Sequence, residues 1–78
     1  MTAPGPTQSQ LAWHLQGLRE AAGMSITTLA EWAGLAVERV VMLESGAIDP
    51  SLDDLERYAL GLNLPLSVVF RKWEHRLN

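Results

Sequence analysis

Seventy-eight residues with a formal charge of −3, six Lys and Arg against nine Asp and Glu, make one small domain whose acidic balance disfavours contact with phosphates. The absence of cysteine removes disulfides and every thiolate metal site, which leaves packing and self-association to hold the fold. No apolar run reaches membrane-spanning length and the first residues lack a basic-then-apolar signal pattern, so a soluble cytoplasmic protein with no membrane contact is expected.

Residues 1–7, with two prolines and a glycine, read as a flexible arm ahead of a single domain over 8–78. A helix is predicted from Gln8, with Leu11, Leu15, Leu18 and Ala22 on one face and Gly23 as its stop. Ser25 caps a short second helix that turns Leu29, Ala30 and Ala33 inward and stops at Gly34. The third covers Val37 to Ser45, with Val40 and Leu43 inward and Gly46 closing it. Pro50 and Ser51 open the fourth, where Ser51 and Asp54 form a capping-box pair and Asp53 and Asp54 suit the positive end of the helix dipole. Its core positions are Leu52, Leu55, Ala59 and Leu62, and Asn63 is its left-handed exit. Pro65 begins a fifth helix with the stripe Leu66, Val69, Phe70, Trp73 and Leu77.

His14 and His75 stand near opposite ends of the chain, match no ligand spacing, and read as surface imidazoles. No nucleophile, base and orienting group fall into a recognisable constellation, so neither an enzyme nor a metal or cofactor is expected.

Residues 25–36 (SITTLAEWAGLA) place two short helices around a glycine turn, with Ala30 small enough for a close crossing. Around them stand Leu18-Arg19 and Gly23-Met24, then Leu43-Glu44-Ser45-Gly46, Pro50-Ser51-Leu52, Leu62 to Leu66, and Val69-Phe70. This frame, over roughly residues 10 to 70, resembles the phage-repressor/Cro-type (Xre) helix-turn-helix family. The resemblance implies an all-α, five-helix lambda-repressor-like domain with the third helix as recognition helix. It also implies an ion pair between Arg19 and Glu44. The periodicity agrees, placing Arg19 at the edge of the first helix's apolar face and Glu44 beside Val40.

The chain departs from the family's pattern where that pattern meets DNA. Ile26 stands where a phosphate-touching glutamine is usual, and Ala36 where a capping hydroxyl is usual. The base-reading positions fall on Val37, Glu38 and Met42, with Arg39, Val41 and Ser45 nearby. None of the first three supplies a bidentate donor; Val37 suits a thymine methyl and Glu38 a cytosine amine. Residues 1–50 hold two arginines against five carboxylates, and pairing Arg19 with Glu44 leaves Arg39 as the one cation there for phosphates. Trp13, Trp32, Val41, Met42, Leu60 and Val68 are apolar where polar residues are usual, a pattern that fits a contact patch.

Two functions therefore stand side by side. One is a transcription regulator binding duplex operator DNA as a homodimer, its recognition helices about 34–36 Å apart. Backbone groups at Ser25, the side chains of Thr27, Thr28, Ser45 and Arg39, and the loop after Gly46 would then meet phosphates, and Leu66, Val68, Val69, Trp73 and Leu77 would form the dimer face. The other is a protein-interaction module that keeps the scaffold and offers the apolar recognition face to another protein.

Overall fold

The computed structural model describes residues 6–69. Four helices, α1 (Pro6–Ala21), α2 (Ile26–Ala33), α3 (Val37–Ser45) and α4 (Leu52–Leu62), are followed by helical residues 66–69, which open α5 after Pro65. No strand occurs among the described residues, and the fold is the all-α, five-helix arrangement expected. The first helix starts at Pro6, two residues ahead of Gln8. Proline is at home in the first helical position, where its missing N–H would have no partner anyway, so the helix takes residues 6 and 7 from the expected arm.

Each helix sends a sealed side chain to one centre: Leu15, Leu29, Val40 with Leu43, Tyr58, and Val69. A close approach lies between α2 and α4. A Cβ on Gly61 would stand 2.7 Å from Leu29 Cδ1 and 2.9 Å from Ala33 Cβ, so only a hydrogen fits at that crossing. Ser51 and Asp54 close the full capping box on α4, and Asn63 leaves it at φ 60°, ψ 40°.

Several core expectations are corrected. Ala22 lies beyond the last residue of α1 and is exposed, whereas Ala12, beside Leu11 and Leu15 on the helical wheel, is buried. Leu52 is 57% exposed. Helical Cβ atoms tilt toward the N-terminus, so the first residue of α4 throws its side chain past the helix end and off the core. Tyr58 and Asp54 are buried on α4 instead.

The expected dimer face also changes. Val69 is wholly enclosed in the chain's own core and Leu66 packs against that core, because the first turn of α5 completes this domain. Val68 is half-buried, while Phe70, Trp73, His75 and Leu77 lie outside the described residues. His14 is a half-buried link rather than a surface imidazole: its Nε2 lies 3.1 Å from the carbonyl oxygen of Val69, joining α1 to α5.

Candidate nucleic-acid interface

The helix-turn-helix is built by local chemistry. Ser25, in extended backbone, accepts a hydrogen bond from the Thr28 amide on its Oγ at 3.0 Å, capping α2. At the other end Gly34 turns left-handed at φ 72°, ψ 32°, and the Leu35 amide donates back to the Ala30 carbonyl at 2.9 Å. Leu35 then packs on the core, which fixes the turn's exit. Ala36 begins α3 with no side-chain cap, so the positive end of that helix is answered only by Glu38 in its first turn.

On α3, Val40 and Leu43 are buried, and Val37, Glu38, Val41 and Ser45 are exposed, with Met42 partly covered. Ser25 and Thr27 are exposed and Thr28 is partly covered. The hydroxyls are mostly engaged locally: Ser25 Oγ donates to Thr28 Oγ1 at 3.0 Å and Ser45 Oγ to the Met42 carbonyl at 3.2 Å. Trp13 and Trp32 stand out at 78% and 60% exposure, each on the outer side of its helix.

Two bidentate ion pairs hold α3 from behind. Arg19 donates through Nε and Nη2 to Glu44 at 2.8 and 3.1 Å, and through Nη1 to the Met24 carbonyl at 2.8 Å. The Tyr58 hydroxyl sits 2.5 Å from Glu44 Oε2 and 2.7 Å from the Leu15 carbonyl oxygen, so one proton serves two acceptors. Burial first, and then the Glu44 carboxylate, push the Tyr58 phenol far above its ordinary range. The pair with Glu44 in turn raises the Arg19 pKa.

The second pair engages the cation expected to meet phosphates. Arg39 donates through Nε and Nη2 to Asp54 at 3.1 and 2.7 Å, joining α3 to the first turn of α4, while its side chain stays 41% exposed. The bond from Arg39 outweighs burial and, with help from Ser51, holds the Asp54 carboxyl below its ordinary pKa. Arg57 is bound to Asp53 at 3.0 Å, so every arginine among the described residues lies against a carboxylate. Arg39–Asp54, Tyr58 and Gly61 all escape the sequence reading. Tyr58 carried a usable signal, standing three residues after Leu55 and four before Leu62 in the core stripe.

No group of three metal-ligating side chains, and no helix long and apolar enough to cross a membrane, occurs among the described residues.

Residues 10–69 match the family described as helix-turn-helix domain. The chain belongs to that family. The helix-turn-helix domain is 30% identical to the restriction-modification controller protein C.AhdI from Aeromonas hydrophila, with a TM-score of 0.76 over 81% of this chain and 96% of that one. Its fold is also that of the clp gene regulator ClgR from C. glutamicum, at 19% identity and a TM-score of 0.81, covering 96% and 97% of the two chains. No curated protein matches it.

Proposed function

We propose that this domain is a cytoplasmic transcription regulator of the phage-repressor/Cro type, placing α3 in the major groove of operator DNA as a dimer with weak direct base readout. The observation that carries the reading is the capped α2, left-handed Gly34 turn and α3 with its outer residues exposed, in a chain 30% identical to a restriction-modification controller protein. Base contacts would come from Val37, Glu38 and Met42, and backbone contacts from Ser25, Thr27, Thr28 and Ser45. The test is a fluorescence-anisotropy titration of the full chain against random duplexes of about 30 base pairs at low salt. Saturable binding is expected; no binding there, where electrostatics are strongest, ends the direct reading.

A second reading, a scaffold that docks α3 on another protein, is favoured by one observation: the described arginines are all held by carboxylates. Met42→Arg separates the two. It would bury an unpaired charge in a protein interface and destroy that complex, whereas on DNA it would add a phosphate or guanine contact and tighten binding.

A further inference from the structure

Building on the groove reading above, we infer that α3 recognises cytosine by its 4-amino group and the adjoining C5 position, and therefore prefers 5-methylcytosine to cytosine. The exposed Glu38 is an acceptor with no donor to offer. Val41 and Met42 follow it by three and four residues, and Val37 precedes it and stands four from Val41, so methyl groups border the carboxylate on one helix face. Val37 and Val41 are 42% and 45% exposed, which leaves apolar surface for a partner to cover. The guanidinium next to Glu38, on Arg39, has two of its nitrogens committed to Asp54, so the side chain best suited to guanine is held toward α4.

The bases answer such a face unequally. Guanine shows only acceptors in the major groove, which a carboxylate repels. Adenine has a donor but no methyl. Thymine has a methyl, but beside its O4 acceptor. 5-Methylcytosine sets a methyl directly next to an amine, the complement of Val37, Glu38 and Val41.

The full chain is first used to enrich sites from two random duplex libraries, one made with cytosine and one with 5-methylcytosine. Enriched duplexes are then synthesised with cytosine, 5-methylcytosine, thymine or uracil at each position and titrated. The expected result is binding about fourfold tighter for each buried methyl at one or more cytosines. Val37→Ala with Val41→Ala should erase that preference, costing the methylated duplex more affinity than the unmethylated one, and circular dichroism should still show a folded helical domain, since both side chains are exposed. Glu38→Gln should shift the preference toward adenine. Equal affinity for methylated and unmethylated duplexes, both being bound, overturns the inference and leaves the groove reading standing. Failure of both libraries to bind overturns the groove reading itself.

Discussion

Glu44 is where three helices meet through one carboxylate: it takes two donors from Arg19 on α1 and lies against the Tyr58 hydroxyl of α4. Removing it strands a guanidinium that is only 11% exposed. Glu44→Ala is expected to cost about 3–5 kcal/mol in urea denaturation, well beyond the ~1 kcal/mol ceiling of an exposed pair. Tyr58→Phe keeps the packing and loses only the hydroxyl, so about 1–2 kcal/mol is expected. Asp54 adds a pH signature. Its carboxyl is held below its ordinary value in the folded state, so its contribution is complete above the unfolded pKa of about 3.9 and disappears as pH falls through the lower folded value. In Asp54→Asn that acid-side loss should be missing from stability measured between neutral and acid pH. Arg39→Ala should be more damaging than Asp54→Asn at neutral pH, because it leaves a buried carboxylate unpaired while the reverse change frees an arginine that already reaches water.

At the scale of the elements, two glycines in helices make opposite demands. Gly17 in α1 has no neighbour within 4 Å of an added Cβ, so Gly17→Ala should gain about 0.5–1 kcal/mol from helix propensity alone. At Gly61 the same change meets Leu29 and Ala33 at under 3 Å, and α2 must move away from α4. The propensity gain is then overtaken by overpacking, for a net loss of about 1–3 kcal/mol. Thermal denaturation of the two variants should shift in opposite directions. Ala36→Ser, restoring a capping oxygen where the backbone is already extended, should add roughly 1 kcal/mol. What was legible follows the same division. The stops at Gly34 and Gly46, the Ser25 cap and the Ser51–Asp54 box are encoded within four or five residues, and inward stripes repeat along each helix. Arg19–Glu44 came through the family resemblance. Arg39–Asp54 spans 15 residues and the Gly61 crossing 28 or more, and nothing local marks either. Leu52 and Ala22 fit a stripe's spacing but stand at helix ends, where periodicity outlasts the packing.

For the whole molecule, the charge pattern sets how it can meet a polyanion. Three described arginines lie against carboxylates, within a chain of net charge −3. Each phosphate neutralised on duplex DNA adds about −0.9 to the slope of log affinity against log salt, so a slope shallower than about −3 is expected; a much steeper one would show that these pairs open on binding. The buried phenol has a different consequence. Tyr58 is the only tyrosine in the sequence, and the folded chain keeps its proton at a pH where an unfolded chain releases it. Stability must then fall as pH rises past about 10, the ordinary tyrosine value, because only the unfolded chain gains by ionising. Phenolate absorbs in the near ultraviolet where phenol does not, so in alkali each molecule that opens its core announces itself by a rise in near-ultraviolet absorbance. The chain carries its own optical count of unfolded molecules, with no label attached.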